Sequence, residues 1–235
     1  MLFTMGEDKG MESQQLAKRI DHTLLSANAV QEDIVRLCRE ARQHGFAAVC
    51  VNPYWVPLAA SELAGGGIGV ATVVGFPLGA SRTSVKAAEA DDAIAAGATE
   101  VDMVLNIGAF KSGNREAALQ DVRAVALACA GRAALKVIIE TCYLTDEEKR
   151  EAALICQQAG ADYVKTSTGF GTGGATAADV ALIRAAVGPD MGIKASGGIR
   201  DAAFARELIG AGATRLGASA SVAIVGGASG PAAGY

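Results

Sequence analysis

Lys165 closes a short, mostly apolar run that starts at Ala161, and Thr166-Ser167-Thr168-Gly169-Phe170-Gly171 follows at once. A run of this length and composition reads as a buried strand. Such a strand is a costly place for an ammonium, because desolvation disfavours the charged form and lowers its pKa. The neutral amine that results is a nucleophile toward carbonyl carbon. The small, glycine-rich loop behind Lys165 leaves room beside it.

Three other strand-like runs carry charge in the same way. Asp102 lies in Glu100-Val101-Asp102-Met103-Val104-Leu105-Asn106, Lys136 lies in a run with Glu140 at its exit, and Lys194 ends a third. Alternation puts Asp102, Val104 and Asn106 on one strand face, and Lys136, Ile138 and Glu140 on another. Facing inward, these residues would bring two or three lysines and one or two carboxylates together. A buried salt-bridge network that fixes strand register would use the same residues. Two lysines at adjacent strand ends exceed what such a network needs. Two ammoniums about 4 Å apart, at an effective dielectric near 20, repel by roughly 4 kcal/mol. At about 1.4 kcal/mol per unit, that lowers one pKa by up to about 3 units, less whatever Asp102 offsets. One lysine then serves as amine, the other stays cationic, and Asp102 relays protons through a water. That is equipment for Schiff-base chemistry: imine formation, carbon–carbon cleavage and protonation of an enamine.

The elements that must position these residues repeat along the chain. Apolar runs recur roughly every 30 residues, the spacing of alternating strand and helix. They are Ile20–Leu25, Phe46–Val51, Ile68–Val74, Val101–Leu105, Leu135–Ile139, Tyr163–Lys165, Met191–Lys194 and Arg215–Gly217. Alanine-rich helical stretches lie between them at Gln31–His44, Ser81–Ala96, Arg115–Ala130, Asp146–Ala159, Ala177–Val187 and Ala202–Gly210. Asn114, Thr145 and Thr176 are start signals, and Gly45, Gly97, Gly131, Gly160 and Gly212 are stop signals. Eight such units in one domain of 235 residues predict a single-domain (β/α)8 TIM barrel. An open doubly wound sheet is the alternative, but no GxGxxG follows the first strand. The barrel is expected over residues 1–225, with a polar N-terminal extension at about 1–18 and a Gly/Ala/Ser-rich flexible tail at 226–235.

In such a barrel the loops after the last two strands are the usual anion cradle, because glycines let backbone N–H groups approach the oxygens. Here they read Ala195-Ser196-Gly197-Gly198-Ile199-Arg200 and Gly217-Ala218-Ser219. Turns need paired glycines too, so it is the coincidence of both loops that points to an anion.

Composition narrows the partners. Apolar residues make up 51%, charged residues 20%, and the net charge is −4. These values fit a soluble globular chain and give no general attraction to nucleic acid or an anionic membrane. No apolar run approaches the roughly 18 residues of a membrane span. Residues 1–18 show no secretory pattern, and the five scattered cysteines read as thiols of a cytoplasmic protein. With His22 and His44 as the only histidines, a histidine-built zinc site or a Ser-His-Asp triad is not expected.

At this point the segments become recognisable as a set. They are Ile20-Asp21-His22-Thr23-Leu24-Leu25, Val49-Cys50-Val51-Asn52-Pro53, Val74-Gly75-Phe76-Pro77-Leu78-Gly79, Glu100–Val104, Lys136-Val137-Ile138-Ile139-Glu140-Thr141, Tyr163–Phe170 and Lys194–Arg200. In this order the chain resembles the deoxyribose-phosphate aldolases, a family of class I, metal-free aldolases, from about Ile20 onward. The resemblance implies reversible cleavage of 2-deoxy-D-ribose 5-phosphate to D-glyceraldehyde 3-phosphate and acetaldehyde, in deoxyribonucleotide breakdown, with no cofactor. It implies Lys165 as the Schiff-base lysine, Lys194 as the residue that lowers its pKa, and Asp102 as the proton relay. Gly169, Gly197, Gly198, Gly217 and Ser219 are implied at the phosphate, and Cys50 near the small aldehyde, where a buried apolar filler is the alternative role. Tyr235 matches a C-terminal tyrosine that enters the site in some members, against an incidental end residue. A homodimer is implied as well. Two departures stand out. Gly217-Ala218-Ser219-Ala220-Ser221 replaces a loop that more often has two consecutive serines, and Ser26-Ala27 replaces a common Lys-Pro. The alternatives to this reading are a phosphate-binding barrel Schiff-base aldolase with another donor, and a catalytically silent sugar-phosphate-binding protein.

Overall fold

Eight short strands alternate with helices in the computed structural model, which describes residues 13–228. The strands are β1 Ile20–Leu24, β2 Ala48–Val51, β3 Gly69–Val74, β4 Glu100–Val104, β5 Ala134–Ile138, β6 Tyr163–Lys165, β7 Gly192–Ser196 and β8 Arg215–Ala218. All neighbours pair in parallel, β8 returns to pair with β1, and the sheet closes into the expected barrel. The helices are α1 Gln31–His44, α2 Val56–Leu63, α3 Thr83–Ala95, α4 Ile107–Lys111, α5 Arg115–Cys129, α6 Asp146–Ala159, α7 Ala177–Val187, α8 Ala202–Gly210 and α9 Ser221–Val225.

The cap signals act as their chemistry requires. Thr145 Oγ1 accepts from Glu148 N at 3.3 Å while Thr145 N donates to Glu148 Oε2 at 2.8 Å, a reciprocal capping box. Asn114 and Thr176 accept from Ala117 N and Asp179 N at 3.1 and 3.0 Å. Gly160 closes α6 at φ 89, a left-handed position that a side chain would strain. Helix α2 has no counterpart among the expected helices. Its Pro57 reads as a breaker, yet proline is well tolerated in a first turn, where its missing N–H costs nothing. The five-residue helices α4 and α9 are too short for periodicity to announce.

Two cores result from the strand alternation. Outward residues Val49, Val51, Val101, Met103, Val137, Val164, Ile193 and Leu216 are buried under helix residues such as Ile34, Val122 and Ile183. Full burial of each such side chain stabilises by roughly 1.5–3 kcal/mol. Inside the barrel, Leu25, Ala48, Cys50, Ala71 and Val73 form a small apolar cluster on β1–β3, with Phe76 against it. The other side of the interior is charged. The exit of β3 is braced from outside the sheet. Lys86, fully buried on α3, donates to Val104 O at 2.8 Å and to Asp121 Oδ2 at 2.6 Å, and Glu89 accepts from Gly75 N at 2.8 Å.

Residues 13–17, within the stretch expected as an extension, are helical and bury Leu16 and Ala17, and Ser13 Oγ donates to Val225 O at 3.1 Å. The remainder of the expected extension, residues 1–12, and most of the expected tail, residues 229–235, lie outside the described residues. Among the described residues, no helix is long and apolar enough to cross a membrane, and all five cysteines are free thiols.

Candidate active site

Asp102 sits on β4, fully buried, at the meeting point of three lysines. Its Oδ1 accepts from Lys136 Nζ at 2.7 Å. Its Oδ2 accepts from both Lys165 Nζ and Lys194 Nζ, each at 2.7 Å. Parallel register prepares this convergence, since Asp102 is level with Lys136 and Lys165 is level with Lys194. The three residues singled out for chemistry are therefore in direct contact.

A second set of charges lies behind them. Asp21 of β1 accepts from Lys194 Nζ at 2.5 Å through Oδ2 and from Arg215 at 2.7 Å through Oδ1. Glu100 is 2.5 Å from Lys136 and 3.3 Å from Arg215. Four cations, Lys136, Lys165, Lys194 and Arg215, thus face three carboxylates, Asp21, Glu100 and Asp102. The positive excess expected from the strand ends is present, but smaller than the lysines alone suggest. Sequence reasoning did not place Asp21, Glu100 and Arg215 in the site. The signal available was a charged residue within each of the strand runs β1 and β8 and a second one, Glu100, two positions before Asp102 on β4.

Burial and charge divide the lysines. Burial lowers the pKa of Lys165, Asp102 opposes that, and Lys194 lowers it further, so the amine titrates below its ordinary value. Desolvation is thus the larger cause, ahead of the lysine–lysine repulsion that strand spacing emphasises. Burial also works against Lys194 and Lys136, but Asp102 and Asp21 outweigh it and hold both ammoniums above their ordinary range. The same contacts overcome the burial of Asp102 and keep it well below the usual carboxylate range. Asp21 is held at about 2, burial being outweighed by Lys194, Lys136 and Arg215. One amine among three is thereby set apart as the group most ready to lose its proton.

Cys50, fully buried on β2, stands in the apolar cluster on the facing side, and burial pushes its thiol up to about 11. It is a neutral wall residue rather than a thiolate. Phe76 and Phe170, in the loops after β3 and β6, meet edge to face with ring centroids 5.4 Å apart.

The glycine loops follow β6 and β7, the strands that carry Lys165 and Lys194, and β8 beside them. Gly169, Gly197 and Gly198 all have left-handed φ of 89, 86 and 78. Gly197 and Gly174 pack backbone to backbone, and a Cβ on Gly174 would lie 2.3 Å from Gly197 O. Ala175 N donates to Ser196 O and Gly197 O at 3.0 and 3.1 Å, joining the β6 and β7 loops into one surface. Ser219 is exposed immediately after β8. Gly217 lies within β8 itself, where a Cβ would be 3.0 Å from Lys194 Cε and 3.1 Å from Ser196 Cβ, so this glycine makes room for the lysine.

Two residues on the expected inner faces leave them. Asn106 caps α4 by accepting from Ala109 N at 3.1 Å. Glu140 turns away from the lysines at φ 54 and accepts from Thr168. Arg200 is exposed, and Tyr235 lies outside the described residues.

The model of the DeoC/LacD family aldolases matches residues 15–234. A deoxyribose-phosphate aldolase of Bacillus cereus (strain AH187) is 60% identical over 210 residues, which cover 89% of this chain and 94% of the relative. A tetrameric deoxyribose phosphate aldolase from Aeropyrum pernix superposes with a TM-score of 0.85 at 36% identity, covering 93% of this chain and 94% of the other. The aldolase QR15 superposes with a TM-score of 0.86 at 41% identity, covering 90% and 94%. A closed eight-stranded barrel, an interior lysine cluster around one aspartate and similarity along almost the whole described length agree: this chain belongs to the DeoC/LacD family of aldolases.

Proposed function

We propose that this chain cleaves 2-deoxy-D-ribose 5-phosphate reversibly to D-glyceraldehyde 3-phosphate and acetaldehyde, through a Schiff base on Lys165. The observation that carries the reading is the division of the lysines around Asp102. Of the three that contact Asp102, Lys165 alone is lowered, at the strand end that meets the glycine loops. The substrate follows the relatives, whose names specify deoxyribose phosphate.

The neutral amine of Lys165 adds to C1 of the open-chain sugar, and loss of water gives the iminium. The C2–C3 bond then breaks. Its electron pair forms the C1–C2 double bond of an enamine, the proton of the C3 hydroxyl leaves, and C3–C5 departs as D-glyceraldehyde 3-phosphate. The enamine takes a proton at C2, and hydrolysis releases acetaldehyde and frees Lys165. Asp102 is too acidic to hold a proton at rest, so it relays one through water. Lys194, held cationic between Asp21 and Asp102, keeps a positive field beside Lys165 and returns protons. Gly169, Gly197, Gly198 and Ser219 receive the phosphate, and Cys50 lines the acetaldehyde end. Tyr235 assists protonation at C2 in this reading, on resemblance alone. The same reading places the protein in the cytoplasm as a homodimer, against the tetramer described for Aeropyrum pernix. Light scattering decides between those states.

Borohydride added with acetaldehyde tests the central claim. A reduced adduct mapped to Lys165 is expected, and its absence, with no turnover of 2-deoxyribose 5-phosphate, would sink the reading in favour of a silent sugar-phosphate binder. Turnover of a different aldehyde donor in its place would favour another aldolase of the same chemistry.

A further inference from the structure

Glu140 is the one non-glycine residue with a left-handed φ among the described residues, at 54. That region is costly for a side-chain-bearing residue and persists where the surroundings enforce it. Glu140 is also buried, 2% exposed, and has no ion pair among the described residues. Strand alternation would send it inward with Lys136 and Ile138. The left-handed turn redirects it sideways to the neighbouring loop, which follows Lys165 on the adjacent strand β6.

There its carboxylate takes both donors of Thr168. Thr168 N lies 3.1 Å from Oε1 and 3.3 Å from Oε2, and Thr168 Oγ1 donates to Oε2 at 2.5 Å. Thr168 Oγ1 in turn accepts from Phe170 N at 3.0 Å, which folds the chain back around Gly169. The loop then wraps the carboxylate closely, for a Cβ on Gly171 would be 3.2 Å from Glu140 Cδ. Further along, Gly174 and Ala175 seat the loop on Gly197. The β6 loop that carries Gly169 is therefore held at Glu140 and packs against Gly197 of the β7 loop.

We propose that Glu140 is a positioning residue whose carboxylate shapes residues 166–174 into the phosphate-receiving surface and fixes its reach from Lys165. The proposal rests on the aldolase reading above. Thr168 covers both carboxylate oxygens, so the acid shapes the cradle without facing the anion it receives.

The test compares 2-deoxyribose 5-phosphate with unphosphorylated 2-deoxyribose in the wild type, Glu140→Ala, Glu140→Gln and Thr168→Val. Losing charge-assisted bonds to the turn should raise KM for the phosphorylated sugar about 10- to 100-fold in Glu140→Ala, with kcat reduced far less. The pH profile and the kcat/KM for 2-deoxyribose should match the wild type. Glu140→Gln, which keeps an acceptor oxygen, should recover part of the KM, and Thr168→Val should show a smaller rise of the same kind. Equal losses on both sugars, a displaced pH profile or unchanged kinetics would overturn the proposal. Should Glu140→Ala fail to fold, Thr168→Val decides by the same criteria. Should the wild type lack aldolase activity and a borohydride adduct, the reading of function fails separately. Calorimetry with inorganic phosphate then decides: weaker binding by Glu140→Ala keeps the positioning role, and equal binding removes it.

Discussion

Lys165 and Lys194 share a single oxygen: both side-chain nitrogens lie 2.7 Å from Oδ2 of Asp102. They are therefore at most twice that distance apart, close enough for the charge of one to bear on the titration of the other. Their surroundings push them in opposite directions. Lys194 has a second carboxylate, Asp21, at 2.5 Å, whereas among the described residues Lys165 contacts no carboxylate but Asp102.

Replacing Lys194 by Met removes one cause that lowers Lys165 and leaves burial in place. The apparent pKa of Lys165 should rise, so the acid limb of the pH–kcat/KM profile moves to higher pH. Loss of the proton-transfer role proposed for Lys194 should also cut kcat by about 100-fold or more. An unmoved limb would contradict the contribution of Lys194.

Asp102→Asn should move that limb the other way, because Asp102 raises Lys165 while burial lowers it. It also strands buried ammoniums, and breaking a buried ion pair costs about 3–5 kcal/mol. A urea midpoint close to that of the wild type would show that Asp21 and Glu100 suffice to hold the cluster.

Stability should fall in acid with a definite window. Asp21 titrates at about 2 in the folded chain against an ordinary 3.8, so its contribution is full above the unfolded value and is lost as pH drops toward the folded one. The contribution is on the order of 2 kcal/mol. Urea midpoints from pH 6 to 2 should therefore decline more steeply in the wild type than in Asp21→Asn. Parallel curves would remove Asp21 as the cause.

Two glycine substitutions should separate reach from chemistry. In Gly217→Ala the added methyl meets Lys194 Cε at 3.0 Å, so kcat should fall with little change in KM. In Gly197→Ala the strained φ of 86 and a 3.0 Å approach to Gly174 disturb the loop proposed to receive the phosphate, so KM should rise about tenfold. Steady-state kinetics of both variants check the split, and identical effects would refute it.

Deleting Tyr235 should slow solvent proton exchange into acetaldehyde, followed by NMR. Exchange at the wild-type rate would end the role that resemblance gives this residue.

Much of this molecule is local in origin. The apolar runs, the cap residues Asn114, Thr145 and Thr176 and the period-two placement of Asp102, Lys165 and Lys194 follow from short-range sterics and hydrogen bonding. They were enough to anticipate the barrel and its three central charges. Helix α2 was hidden because Pro57 looks like a breaker out of context. The partners of the inward charges were not local either. Strand stagger on closure brings Asp21 and Arg215, which are 194 positions apart, to within 2.7 Å. It also brings Gly217 against Lys194, where a Cβ would lie 3.0 Å from Lys194 Cε. Glu140 shows the same limit, since alternation points it at the lysines and a left-handed turn carries it to Thr168 instead. Depth of burial likewise exists only once the strands have closed, and it is the largest cause that sets Lys165 apart.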